Sequence, residues 1–127
     1  ASSVLSERAE DYFVLADAAK HYPARFMLYV VDVKESKRDA IPAITHVDGT
    51  GRLQTVRKEF NPRYYRLIEN FGQATGVPIV LNTSFNLKGG PIGNSPQEAF
   101  NTFNRSGMDT LVLGNYIIEK SALQHNT

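Results

Sequence analysis

Cysteine and tryptophan are absent from this 127-residue sequence. Without cysteine, the chain has no disulfide framework, no thiolate metal ligand and no cysteine nucleophile. No apolar run reaches the roughly 20 residues that span a bilayer, and no basic start followed by an apolar core marks a signal peptide. We therefore expect no membrane partner, and the cytoplasm is the expected location.

An excess of charge of one sign is also lacking, because the formal net charge is +1. Neither this balance nor the spacing of the basic residues indicates a nucleic-acid partner. The chain does contain 42% hydrophobic residues, which is enough to fill the core of one compact domain. We predict a single domain over residues 1–127.

The apolar run Ile79–Leu81, which follows Gly76 and Pro78, predicts a buried interior strand. Polar residues follow at its carboxyl end, where open α/β sheets place their ligands. Short hydroxyls and amides suit phosphate or carbonyl oxygens, but they also cap turns, and the turn is the commoner role. The polar residues are Asn82, Thr83, Ser84 and Asn86.

A second segment with candidate ligand-binding residues is the glycine-containing turn at residues 48–51. Its β-like flanks, residues 44–47 and 53–56, predict a hairpin. His46 and Asp48 would then share one face. Arg52 follows the turn, where a guanidinium can bind a phosphate or carboxylate through two donors. A hairpin with a surface arginine is the simpler interpretation, and a His-x-Asp pair without a third ligand does not define a metal site.

Two helices have clear start signals. Asn61 followed by Pro62 predicts a helix that ends before Gly76, and residues 95–98 form a capping box for a helix that ends near Gly107. We expect the apolar side chains of the first of these helices to belong to the core. They are Tyr64, Leu67, Ile68 and Phe71.

Weaker patterns complete the prediction. An apolar stripe predicts a helix over residues 1–19, and residues 26–33 read as a strand buried on both faces. Residues 34–38 are expected to form a solvated helical turn. Residues 110–113 and 116–118 predict a closing hairpin, and residues 121–127 a frayed tail.

The order of these elements indicates an α/β fold with a mixed, twisted sheet and helices. We expect the turn at residues 82–86 and the segment with His46, Asp48 and Arg52 to converge on one concave anion site. Composition and pattern alone do not name a reaction.

Three long strings resemble the C-terminal, YrdC-like domain of the O-carbamoyltransferases, the family of nodulation and antibiotic-tailoring carbamoyltransferases. They are IPAITHVDGTGRLQTV at residues 41–56, NPRYYRLI at residues 61–68 and GVPIVLNTSFNLKG at residues 76–89. The resemblance extends from Ser3 to Lys120. It implies a domain that makes carbamoyl-adenylate from carbamoyl phosphate and ATP with Mg²⁺, beside a large N-terminal domain that holds the metal and transfers the carbamoyl group.

Residue by residue, the resemblance implies that Arg52 is a phosphate clamp. Ser84 and Asn86 match the family's Ser-x-Asn signature, and Thr83 lies in the same turn. His46 and Asp48 belong to the motif that contains Arg52, and the resemblance assigns them to the same ligand-binding region without a defined role.

The sequence departs from the family pattern in two places. The family's domain begins earlier, with a basic segment ahead of the sequence that corresponds to residues 1–5, and Gly90 stands where the family has a glutamate. We therefore expect a YrdC-like fragment that lacks its N-terminal part and the metal-binding domain and is inactive alone. The alternatives are a non-enzymatic remnant or interaction module that forms a homodimer, and RNA binding, which the charge disfavours.

Overall fold

The chain divides into two compact units, Ala1–Thr83 and Ser84–Thr127, which we call unit 1 and unit 2. The computed structural model describes residues 1–123. Unit 1 contains a mixed four-stranded sheet and unit 2 a two-stranded sheet, each with helices, so the predicted α/β class is confirmed. The prediction of one domain over the whole chain stays a prediction.

Unit 1 is built on four strands and two α-helices, joined by 3₁₀ turns. The strands are β1 Ser2–Leu5, β2 Tyr29–Asp32, β3 Thr50–Val56 and β4 Ile79–Leu81, and the helices are α1 Ala9–Tyr12 and α2 Pro62–Thr75. The 3₁₀ turns are Ser6–Arg8, Ala18–Lys20, Tyr22–Phe26, Glu35–Ala40 and Pro42–Ile44. The strand order is β2-β3-β1-β4. β1 runs parallel to β3 and antiparallel to β4, while β2 runs antiparallel to β3.

The interior position of β1 contradicts the predicted helix over residues 1–19. All four of its residues are buried. The Ser2 hydroxyl donates to the Arg52 carbonyl at 2.8 Å, and the Ser3 hydroxyl donates to the Gln54 side chain at 2.5 Å. The partners of these serines lie on β3, far along the chain, so tertiary pairing overrides the local helical stripe.

The two edge strands correct two burial predictions. Ile79–Leu81 is a strand as predicted, but it is an edge strand and not an interior one, and Leu81 is 57% exposed. β2 is the opposite edge, and its residues alternate between half-buried and exposed, so it is not buried on both faces. It is also shorter than predicted, because Tyr22–Phe26 forms a 3₁₀ turn. A short apolar run does not reveal whether a strand has one neighbour or two.

Apolar side chains cover both faces of the sheet. One face packs against α1 and the 3₁₀ turns, and the other packs against α2. The first cluster includes Val4, Tyr12, Phe13, Val33, Ile41, Ile44, Leu53 and Ile79. The second contains Leu5, Val56 and Ile68, with Tyr64, Tyr65 and Val80 packed against it. The alternation of side chains along β1 and β3 explains this division.

Helix α2 begins and ends as predicted. The Asn61 side chain accepts a hydrogen bond from the Tyr64 N–H at 3.2 Å, and Gly76 ends the helix with φ of +80°. The predicted apolar stripe is only partly core: Ile68 is fully buried, whereas Leu67 is 58% and Phe71 42% exposed. The second cluster has only two buried sheet residues, Leu5 and Val56, so this part of the sheet is too narrow to cover the whole stripe.

The predicted hairpin before β3 is wrong in its first arm. Pro42–Ile44 forms a 3₁₀ turn, because proline fixes φ near the helical value. The turn itself exists: the His46 N–H donates to the Thr50 carbonyl at 2.7 Å, and Gly49 has φ of +83°. The predicted solvated helical turn at residues 34–38 is confirmed by Glu35–Ala40, none of which is buried.

Unit 2 contains α3 Pro96–Arg105, β5 Thr110–Leu113, β6 Tyr116–Glu119 and α4 Lys120–Leu123. The N-cap half of the predicted capping box is confirmed by the Glu98 N–H, which donates to the Ser95 hydroxyl at 3.2 Å. The Glu98 carboxylate accepts from the Asn94 N–H at 2.9 Å. The predicted hairpin is β5–β6, which turns at Gly114 with φ of +61°. The predicted tail is wrong for residues 121–123, which belong to α4, and its remainder lies outside the described residues. Within residues 1–123, no helix combines the length and the apolarity needed to cross a membrane.

The contrast between two neighbours on α2 gives a test of this packing. We expect Ile68→Ala to lower the free energy of unfolding by about 2–5 kcal/mol, because Ile68 is fully buried and its truncation leaves a cavity. Leu67→Ala is the matched control and should change it by less than about 1 kcal/mol, since this side chain is mostly exposed. Urea unfolding measures both. Equal losses would contradict the described orientation of α2.

Candidate functional site

His46 and Asp48 are connected through Thr50. The Thr50 N–H and hydroxyl both donate to one Asp48 oxygen, at 3.0 and 2.7 Å, and the His46 Nδ1 lies 2.9 Å from the Thr50 hydroxyl. Hydrogen bonds from Thr50 hold the pKa of Asp48 below its ordinary value. This geometry is an Asx turn, so both predicted residues shape the entry to β3.

Arg52 is the third residue of β3 and is exposed. Its backbone is fixed, because its carbonyl accepts from Ser2 and the residue pairs with Val30 on β2. Among residues 1–123, no carboxylate forms a salt bridge with Arg52. The strand therefore fixes the backbone of an exposed arginine whose guanidinium donors can bind an anion.

A polar network on the same face of the sheet involves Gln54, which the sequence did not single out. Its side-chain oxygen accepts from Ser3 at 2.5 Å and from the Asn82 amide at 2.9 Å, and its amide donates to the Arg25 carbonyl at 3.3 Å. Gln54 and Arg52 are two residues apart on one strand and share a face. In the sequence, the only indication of this role is that Gln54 is a polar residue within the predicted β-like segment 53–56.

The register places Arg52 and Asn82 at the same end of the sheet. Ser2 pairs with both Leu53 and Leu81, and the Asn82 N–H donates to the Ala1 carbonyl at 2.8 Å. Because β4 is antiparallel to β1, this is the amino end of β1 and β3. The ligand-binding rule for the carboxyl ends of parallel strands therefore does not apply to Asn82. Thr83 follows Asn82 and is exposed.

Ser84 and Asn86 form a locally bonded turn in unit 2. The Ser84 hydroxyl donates to the Asn86 side-chain oxygen at 2.5 Å. The Asn86 amide donates to the carbonyls of Leu87 at 3.1 Å and Gly90 at 2.9 Å. These groups are satisfied by the turn itself, so a ligand would have to exchange with them. The convergence of Ser84 and Asn86 with Arg52 stays a prediction.

The described side chains do not assemble a magnesium site of their own. In residues 1–123, no group of three histidine, aspartate or glutamate side chains is placed to hold a metal ion. The Asp48 carboxylate is engaged by Thr50. Mg²⁺ in nucleotide sites is commonly held by substrate phosphates with one or two carboxylates, so these residues do not fit a dedicated protein cage for it.

The Asp48 turn predicts a pH dependence. Its lowered pKa means that the turn is stabilised above the ordinary aspartate value and loses that stabilisation as the pH falls through the lowered pKa. We expect Thr50→Val to raise the pKa of Asp48 by removing the hydroxyl donor. An NMR titration of the Asp48 carboxyl measures this, with Thr83→Val as the control. An unchanged pKa in Thr50→Val would refute the role of this hydroxyl.

Known proteins resemble this chain over nearly its whole length. The family described as Carbamoyltransferase C-terminus matches residues 1–120. The chain is 49% identical over 120 residues to the nodulation protein NolNO of Sinorhizobium fredii, an alignment that covers 94% of this chain and 17% of the relative. It is 37% identical over 89 residues to the 3'-hydroxymethylcephem-O-carbamoyltransferase of Amycolatopsis lactamdurans, with 70% and 17% covered.

A third relative is the nodulation protein NolO of Bradyrhizobium diazoefficiens, which is 45% identical over 120 residues, with 94% of this chain and 22% of the relative covered. The chain thus spans about a fifth of the length of these curated relatives. The match of the family over residues 1–120 confirms the resemblance found in the sequence. The chain belongs to the carbamoyltransferase family, and the part that it represents is the C-terminal domain.

Proposed function

We propose that this chain is the part of a carbamoyltransferase that binds carbamoyl phosphate and ATP. The observation that carries the proposal is the family match over residues 1–120, which includes the motif with Arg52. A relative named as a carbamoyltransferase aligns with 70% of the chain. The experiment below tests the identity of the ligand.

Arg52 is the proposed phosphate contact of unit 1. A guanidinium offers a planar set of donors that matches two phosphate oxygens. Its strand is held by the Ser2 hydrogen bond and by pairing on both sides, so only the side chain has to be ordered when the ligand binds. Asn82 and Thr83 lie at the same end of the sheet and supply neutral donors.

Ser84 and Asn86 are the proposed contribution of unit 2. The Ser84 hydroxyl donates to the Asn86 side-chain oxygen, and the Asn86 amide donates to the loop that follows. A phosphate oxygen that accepts from the Ser84 hydroxyl would replace the Asn86 oxygen, so the turn would keep its Asn86 amide bonds. This exchange changes one hydrogen bond and leaves the backbone of the turn in place.

The proposed reaction joins carbamate to AMP. Carbamoyl phosphate first reacts with water, which gives carbamate and inorganic phosphate. A carbamate oxygen then attacks the α-phosphorus of ATP, the new O–P bond forms, and the bond to pyrophosphate breaks. The charge of the triphosphate must be neutralised by positioned cations, and Mg²⁺ bound to ATP supplies part of that charge. Because this chain spans only about a fifth of its relatives, we propose that the remainder of the enzyme supplies further cations.

We therefore expect the 127-residue chain alone to bind carbamoyl phosphate at best in the millimolar range, on the order of 4 kcal/mol, and to release no pyrophosphate. Missing charge contacts commonly cost about a hundredfold or more in rate each. Incubation with ATP, Mg²⁺ and carbamoyl phosphate, followed by pyrophosphate detection, tests turnover. NMR titration tests binding, which Arg52→Gln should abolish and the exposed Arg63→Gln should preserve.

Two outcomes would contradict this proposal. Steady pyrophosphate release that disappears in Arg52→Ala would show that the chain is a self-sufficient enzyme. Carbamoyl phosphate binding that survives Arg52→Gln would show that Arg52 is not the phosphate contact.

A second candidate function is a non-enzymatic interaction module that forms a homodimer. Leu81 on the edge strand β4 is 57% exposed and Phe71 on α2 is 42% exposed. Both line a 300 Å³ apolar groove with Ile41 and Val77. An exposed edge strand can pair with the same strand of a second copy.

This candidate predicts a dimer that Leu81→Lys disrupts, because a charge on the edge strand opposes pairing between copies. Light scattering after size exclusion measures the mass, and Val112→Lys, at another exposed apolar position, is the control. A wild-type chain that stays monomeric over a wide concentration range would exclude the homodimer.

A further inference from the structure

One edge of the sheet in unit 1 is open. The strand β4 pairs with β1 on one side, and within residues 1–123 no strand pairs with its other side. The opposite edge is protected, because Phe13 forms a bridge with Val33 directly after β2. There the Val14 N–H also donates to the Asp32 carbonyl at 2.9 Å. Of the two edges, β4 is therefore the one that can accept another strand.

The strand register identifies the backbone groups on the open side of β4. Hydrogen bonds alternate along an antiparallel pair. The Asn82 N–H donates to β1 at 2.8 Å, so Val80, two residues earlier, also directs its backbone groups to β1. Ile79 and Leu81 direct theirs outwards. The Ile79 N–H donates to the Val77 carbonyl at 2.8 Å, so the outward donor is the Leu81 N–H, with the carbonyls of Ile79 and Leu81 as acceptors.

The groove along this edge, which we call the β4 groove, has an apolar wall on each face of the sheet. Ile41 and Ile44, which belong to the first apolar cluster, line one wall, and Phe71 of α2 lines the other. The described residues that line the groove carry no charge. The Thr75 hydroxyl, which also lies there, donates to the Phe71 carbonyl at 2.7 Å.

The floor of the β4 groove shows which side chains an added strand would need. Ile79 belongs to the first apolar cluster, whereas Val80 packs against the second, so both layers reach the edge. Successive side chains of a strand paired to β4 would enter these two layers alternately. Such a strand is buried on both faces and is a continuous apolar run, matched to the three residues of β4.

The shape of the β4 groove favours a strand from elsewhere over a second copy. Two copies that meet edge to edge bring the same two walls together, whereas one extended strand is narrow enough to lie between the walls. The relatives contain ample chain for such a strand. The matched region covers 17% of NolNO and 22% of NolO, so about four-fifths of each relative lies outside it.

We propose that the β4 groove binds an apolar β-strand from the remainder of a carbamoyltransferase, which extends the sheet beside β4. Strand addition obtains affinity from main-chain hydrogen bonds and specificity from pockets for side chains. The outward groups of Leu81 supply the hydrogen bonds, and the walls at Ile41 and Phe71 supply the pockets. The inference rests on family membership and is independent of the proposed phosphate contact at Arg52.

The test uses the full 127-residue chain and short overlapping peptides that tile the part of NolNO outside the matched 120 residues. We expect a peptide with a continuous apolar run to bind and to slow hydrogen exchange of the Leu81 N–H about tenfold or more. The Val80 N–H, which already pairs with β1, should exchange at an unchanged rate. NMR measures both amides and the affinity.

Two substitutions of Leu81 separate strand pairing from apolar contact. Leu81→Pro removes the outward N–H and leaves the bonds to β1, and edge strands tolerate proline at such positions. It should weaken peptide binding about tenfold or more. Leu81→Val is the matched control, because it keeps the N–H and an apolar side chain, and its affinity should stay within about threefold of the wild type. A thermal melt checks that both variants fold.

A peptide with lysine at the centre of its apolar run is the matched control for the ligand and should not bind, because its charge would be buried. Equal binding of this peptide would contradict burial of the strand on both faces. Binding that survives Leu81→Pro would exclude strand pairing. A dimer of the chain alone in which the Leu81 N–H is protected would make a second copy the occupant and overturn the proposal. Failure of every peptide to protect this N–H at about 1 mM would refute the site.

Discussion

The parallel pairing of β1 with β3 is the constraint on which unit 1 depends. It places β1 between β3 and β4, so that both faces of the sheet must be covered by apolar side chains. It also gives the sheet two chemically different ends. One end carries Arg52 and Asn82, while the carboxyl ends of the parallel pair open onto two cavities lined by Arg25 and Arg57.

The elements that the sequence predicts well are those whose signals are local. Helices α2 and α3 begin at Asn61 and Ser95, whose side chains cap the first turn a few residues away. β1 was missed because its two serines satisfy their hydroxyls on β3, and no pattern within a short window contains that information. The edge position of β4 was missed for the same reason.

The contacts of the candidate site are likewise of two kinds, local ones and ones that depend on strand register. The hydrogen bonds of the Asp48–Thr50 turn and of the Ser84–Asn86 turn are local. The residue types in these turns are typical both of turns and of ligand contacts. Gln54 connects β1, β4 and the turn at Arg25 through contacts that depend on strand register. Tyr22 and Phe60 line one cavity of unit 1, and their separation along the sequence does not indicate that they lie together.

The central place of β1 has a consequence for the order of folding. Ser3 and its partner Gln54 are separated by 51 residues, and β4 lies further along the chain. Contacts of such separation close large loops and slow the search for the native state. During synthesis β1 is made well before either neighbour, so its backbone groups lack their native strand partners until β3 and β4 have emerged. In that interval a chaperone or another chain can bind the strand.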